Sequence, residues 1–222
     1  EGFEMAALEK AAAETKEETG ISFELAAEGT VTEITATGIG AHASTPDVGN
    51  NALTGLLVFL GKLDFASCPQ VDMVRKTASL FPHGDVNGKT LGVAMEDELS
   101  GNLTLSFNML TVDAASMDGE FDGRIPVCGN DENVLEVVRA RMAEQGLTLL
   151  NKALIPPHHV SADSYFVKTL LAAFELYTGR KGECQALGGG TYVHHLENGV
   201  AFGAAMPETD NKMHGPDEFA VV

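Results

Sequence analysis

Apolar and polar positions alternate along this chain in two rhythms, one helical and one extended. From Glu4 to Glu18 the run is rich in Ala, Glu, Lys and Leu, and Gly20 stands where a helix would end, which predicts a charged surface helix. Ser22–Ala27 and Thr30–Gly38 alternate with β-branched residues on either side of Glu28-Gly29, the pattern of a hairpin. An apolar helix is predicted from Ala52 to Leu63 and a second over Val71–Leu80, followed by the turn-rich stretch Pro82–Gly88. Asn102–Val112 and Gly119–Val127 alternate again as paired strands across the turn Asp113–Asp118. A helix over Asp131–Gln145, with Asp131 as N-cap and Gly146 as stop, leads to a strand over Leu147–Ile155. Counted from Thr30, the order is strand, helix, strand, strand, helix, strand, an α+β arrangement of the split βαβ, ferredoxin-like kind.

Pro156-Pro157 reads as a rigid linker out of this unit, with His158 and His159 behind it pointing apart. An amphipathic helix over Asp163–Tyr177, closed by Gly179, precedes a strand over Gly182–Leu187, a glycine turn at Gly188–Gly190, a helix carrying His194 and His195, and a strand-like apolar run Val200–Met206. That is the order of a partial α/β domain, whose ligands bind at the carboxyl ends of its strands. Consecutive glycines let a backbone approach a ligand closely, and the helix start behind them offers unpaired N–H donors. The turn is therefore either a cradle for a carboxylate or phosphate or a plain strand-to-helix connection.

Composition narrows the class. The 222 residues, 44% of them hydrophobic, suffice for one or two soluble domains with a real core. No apolar run reaches the roughly 20 residues of a membrane span, and no export signal opens the chain. The 14 basic against 32 acidic residues leave a net charge of −18, which repels nucleic acid and anionic membrane alike. Three cysteines, Cys68, Cys128 and Cys184, lie far apart and form neither a disulfide framework nor a cysteine metal site, so a reducing cytoplasm is the expected home.

Three stretches carry a specific resemblance. Gly38-Ile39-Gly40-Ala41-His42-Ala43-Ser44-Thr45-Pro46 runs into Gly49-Asn50-Asn51-Ala52, Leu187–Tyr192 holds the glycine turn, and Met213-His214-Gly215-Pro216-Asp217-Glu218-Phe219 closes the chain. In this order they resemble the co-catalytic zinc dipeptidases, the family of carnosinase and the PepV-type bacterial dipeptidases. The resemblance implies a lid domain over residues 1–155, with an insertion at about 65–101, and the C-terminal portion of a catalytic domain over 156–222. It implies that His42 stabilises the charge developing on the scissile carbonyl oxygen, and that His214 is a zinc ligand. It also implies that Arg124, with the turn Gly188, Gly189, Gly190 and Thr191, holds the free C-terminal carboxylate of a dipeptide substrate. A guanidinium suits that task because it is always charged and binds a carboxylate with two parallel bonds.

Two decoys look like the family's remaining ligands. Glu17-Glu18 sits at a helix end and reads as solvated; His83-Gly84-Asp85 sits between a proline and an Asn-Gly turn and reads as a loop. A two-zinc site needs several more His and carboxylate ligands and a general base. The expectation is therefore that a catalytic segment precedes this chain, and that the 222-residue piece binds zinc weakly or not at all and is inactive by itself. Two other readings stay open: a non-catalytic ferredoxin-like module for binding or homodimerisation through a bare sheet edge, and a deacylase or carboxypeptidase of the same family.

Overall fold

In the computed structural model, the described residues are 2–203, 206, 208–209, 211–212 and 217–220. They mix helix and strand as an α+β chain whose strands form three two-stranded antiparallel ladders. The chain divides into two compact units, Glu1–Pro157 with Ala186–Gly189, and His158–Gln185 with Gly190–Val222.

The larger unit opens with helix α1 (Met5–Thr19), ended by Gly20 in the left-handed conformation that a glycine adopts without strain. Strands β1 (Ser22–Glu28) and β2 (Val31–Thr37) pair from Ser22↔Thr37 to Glu28↔Val31, as the alternation predicts. Helix α2 (Ala52–Gly61) starts at Asn51, whose side chain accepts the N–H of Thr54. Helix α3 (Pro69–Leu80) begins with proline, which lacks only an N–H that the first turn would leave unpaired. The short hairpin β3 (Glu96–Asp97) and β4 (Gly101–Asn102) leads into β5 (Thr104–Val112) and β6 (Met117–Arg124), which pair with a bulge between Phe107 and Met109.

Helix α2 is apolar on more than one side and serves two cores. Leu57 packs with Leu80, Phe81, Leu103, Leu105 and Phe107, while Phe59 packs with Leu8, Ala11 and Leu63. Phe81 and Phe107 stack with centroids 4.5 Å apart, and Phe23 and Phe59 do so at 4.9 Å. Along β5, Leu105 and Phe107 are buried and Thr104 and Ser106 are not, the period of two expected of a half-buried strand.

Several sequence expectations are corrected. The second long helix starts one residue earlier: Asn130 is the cap, accepting from the N–H groups of Glu132 and Asn133, and a π-helical turn (Asp131–Leu135) precedes helix α4 (Glu136–Glu144). Asp131 instead accepts the N–H of Leu154 at 2.9 Å. Leu147–Ile155 is no strand, because side chains take its backbone groups: Arg139 donates to the carbonyls of Leu149 and Asn151. Accordingly β2 pairs with β1 and β5 with β6, with no ladder joining the two hairpins among the described residues.

In the smaller unit helix α5 (Tyr165–Thr178) is capped by Ser164 and stopped by Gly179. Gly182–Leu187 and the described part of Val200–Met206 form no strands. Glu175 takes the N–H of Gly182 at 3.1 Å, and Val167 is the one buried apolar side chain of this unit among the described residues. Without a packed face an extended run gains nothing from alternation.

Candidate functional site

Between β2 and α2 the chain makes a closed excursion. Ile39 and Asn50 exchange both backbone hydrogen bonds, at 2.9 and 2.8 Å, pinching residues 40–49 into a loop. The pinch needs glycine: a Cβ on Gly49 would lie 2.6 Å from that of Ala41. Asn50 donates to the Thr19 carbonyl at the end of α1, and Asn51 donates to the Phe107 carbonyl beside the β5 bulge, both at 2.8 Å. The loop is thus nailed to α1, α2 and β5.

His42 sits in this loop, half-buried, in a turn closed by the Thr45 N–H on its carbonyl. Its Nδ1 is 2.7 Å from the Ser44 hydroxyl and accepts the Ser44 main-chain N–H at 3.2 Å. The next carbonyl, of Ala43, accepts from Thr104 Oγ1 at 2.7 Å. Thr104 is paired directly with Arg124 on β6. The loop of His42 is therefore tied to the rung of the ladder that carries Arg124.

Arg124 is held from its own strand. Asp122, two residues back and so on the same face, accepts from Nη2 at 2.8 Å. Nε lies 2.7 Å from the other carboxylate oxygen but misaligned, and is buried without a hydrogen-bond acceptor among the described residues. With both side chains about a third exposed, 29% and 36%, the pair adds at most about 1 kcal/mol, and its effect is orientation.

The glycine turn divides. Gly188 and Gly189 belong to the larger unit: a Cβ on Gly188 would stand 2.6 Å from Ser44 Cβ, and one on Gly189 3.8 Å from Arg124 Nη1. Gly190 and Thr191 belong to the smaller unit, where Thr191 is extended and its carbonyl accepts the His194 N–H at the start of a 3-10 turn (Tyr192–His195). That turn replaces the helix expected there. His214 lies outside the described residues. Of the sequence candidates, His42, Arg124, Gly188 and Gly189 are thus brought together. The residues that join them, Ser44, Thr104 and Asp122, escaped the sequence reading. Two carried a signal, a serine two positions after the His and an acid two positions before the Arg; Thr104 carried none, since its register partner is unknowable without the sheet.

The decoys have structural work. Glu18 is exposed and accepts from Lys62 at 2.8 Å, tying α1 to α2. His83 Nδ1 lies 2.9 Å from Thr54 Oγ1, and burial pushes its pKa down against the opposing pull of the Thr19 carbonyl and the Glu18 charge. Burial pushes the Asp85 carboxyl up, but the N–H groups of Thr90 and Lys89, at 2.8 and 3.0 Å, bring it net below its ordinary value. Among the described residues no three His, Cys, Asp or Glu side chains are grouped to hold a metal. A cleft of about 740 Å³ is lined by Ile39, Asn51, His83, Asp85, Ser106 and Asn108, and His42 is not among its lining residues. In the smaller unit His158 Nε2 lies 2.6 Å from the Gly199 carbonyl, and its ring lies 5.7 Å from that of His194, so these histidines pack on one another. With a carbonyl as partner, Nε2 of His158 is the donor.

All three cysteines are free, and no described helix is long and apolar enough to cross a membrane. No protein-family model matches the chain. The chain is similar to the Beta-Ala-Xaa dipeptidase of Lactobacillus delbrueckii subsp. lactis, 33% identical over 191 residues, covering 86% of this chain and 40% of that one. It is 36% identical over 187 residues to YtjP of Bacillus subtilis, named as a candidate dipeptidase, covering 82% and 38%. A candidate dipeptidase of Staphylococcus epidermidis is 29% identical over 188 residues, covering 84% and 39%. The chain spans about two fifths of the length of these curated relatives, and over that span it is similar to proteins named as dipeptidases.

Proposed function

We propose that this chain is the substrate-facing part of a zinc dipeptidase, a ferredoxin-like lid over residues 1–155 and the C-terminal portion of the catalytic domain over 156–222. The observation that carries the reading is the convergence of the His42 loop, Arg124 and Gly188-Gly189 within the larger unit. The order β2, α2, β5, β6, α4 supports the lid, and the name of the Lactobacillus relative supports β-alanyl dipeptides as the substrate class.

In this reading the substrate's terminal carboxylate lies against the Arg124 guanidinium and the backbone of Gly188 and Gly189, all within the larger unit. Asp122 presets the guanidinium, so little side-chain freedom is lost on binding. His42 then donates to the carbonyl oxygen as it gains negative charge during hydrolysis, an interaction stronger in the transition state than in the ground state. The zinc ions that the family implies find no seat among the described residues.

Titration of the 222-residue protein with a β-alanyl dipeptide and with its C-terminal amide tests the reading. The free acid is expected to shift the amide resonances of Gly188 and Gly189 and to lose this effect in R124A, while the amide leaves them in place. Equal binding of acid and amide refutes the carboxylate site, and chelator-sensitive hydrolysis by this chain alone refutes its expected inactivity.

A further inference from the structure

Ser44 meets the imidazole of His42 twice at one atom. Its main-chain N–H donates to Nδ1 at 3.2 Å, and its hydroxyl lies 2.7 Å from the same nitrogen. A main-chain N–H is always a donor, so Nδ1 must face it with a lone pair. In the neutral ring the proton then belongs on Nε2, and the hydroxyl also donates to Nδ1. Ser44 itself is held from both sides: Thr104 grips the carbonyl of the preceding residue, and Gly188 lies so close that a Cβ there would stand 2.6 Å from Ser44 Cβ.

We propose that Ser44 is a positioning residue for His42, holding the neutral imidazole in its Nε2–H form. The proposal rests on the oxyanion role of His42 given above, and says why that role is chemically open to it. A group that stabilises developing negative charge must offer a proton at the facing atom; the opposite tautomer would turn a lone pair toward the oxyanion. A serine that merely shaped the turn would have no need to contact the ring.

The test is the long-range proton–nitrogen spectrum of the 222-residue protein labelled with nitrogen-15, near neutral pH. The expected result is a His42 Nδ1 resonance in the unprotonated range and Nε2 in the protonated range. In S44A only the longer main-chain bond remains, and Nδ1 is expected to move toward Nε2 as the second tautomer becomes populated. Melting should change little, as for a substitution outside the cores. A wild-type ring protonated on Nδ1, or an S44A ring spectrum unchanged from wild type, overturns the proposal. The wild-type arm decides even if S44A fails to fold. These outcomes are independent of peptidase chemistry: if substrate handling survives H42A, the oxyanion role falls and the positioning by Ser44 stands.

Discussion

Thr104 and Arg124 stand opposite one another across the β5–β6 ladder, and the hydroxyl of Thr104 holds the Ala43 carbonyl at 2.7 Å. One cross-strand pair thus sets the spacing between the His42 loop and the guanidinium. Replacing Thr104 with Val keeps the β-branched shape and removes the bond, at a cost of about 0.5–1.5 kcal/mol. The expected signature is faster hydrogen exchange at the Thr45 amide, which closes the turn on His42, with the β5–β6 amides unchanged.

Gly188 tolerates no side chain against Ser44. G188A is expected to displace the glycine turn and weaken binding of a free dipeptide carboxylate at least tenfold, while the melting temperature stays near wild type because the turn is exposed. Calorimetric titration beside a thermal melt checks both halves.

Asn51 both caps α2 and donates to the Phe107 carbonyl. N51D keeps the cap oxygen and loses the amide donor; N51A loses both. Urea unfolding should show N51A destabilised by about 1–3 kcal/mol, with N51D between it and wild type.

Asp97 gathers the N–H groups of Ser100, Leu99 and Cys128 and the Ser100 hydroxyl, and chiefly the Ser100 N–H brings its pKa from 3.8 down to about 2. A carboxyl depressed on folding contributes stability that is fully present above its unfolded value and lost as pH falls through the folded one. The contribution of this clasp should fade between about pH 4 and pH 2, and D97N should flatten that limb of the stability profile. The Cys128 amide shift, followed through an acid titration, reports it directly.

How far the sequence could be read follows from where each element gets its partners. Elements stabilised locally were legible: α1 with its Gly20 stop, the β1–β2 hairpin, α2 behind Asn51, and β5–β6 across a short turn. Leu147–Ile155 was misread because alternation marks a strand only when a ladder takes its backbone groups, and here Arg139 and Asp131 do so instead. Asn130 was passed over for Asp131 because both are good caps and spacing alone does not choose between neighbours. His42 and Arg124 could be singled out from their motifs and Ser44 stands two positions from His42, but the part of Thr104 depends on a register that no local pattern encodes.

Helix α2 contributes Leu57 to one cluster and Phe59 to the other. Neither cluster can come apart without loosening the rod they share, so the larger unit should melt in a single step despite its separate hairpins. Trimming Phe59 to alanine, at about 3–5 kcal/mol, would then lower the melting of both halves together.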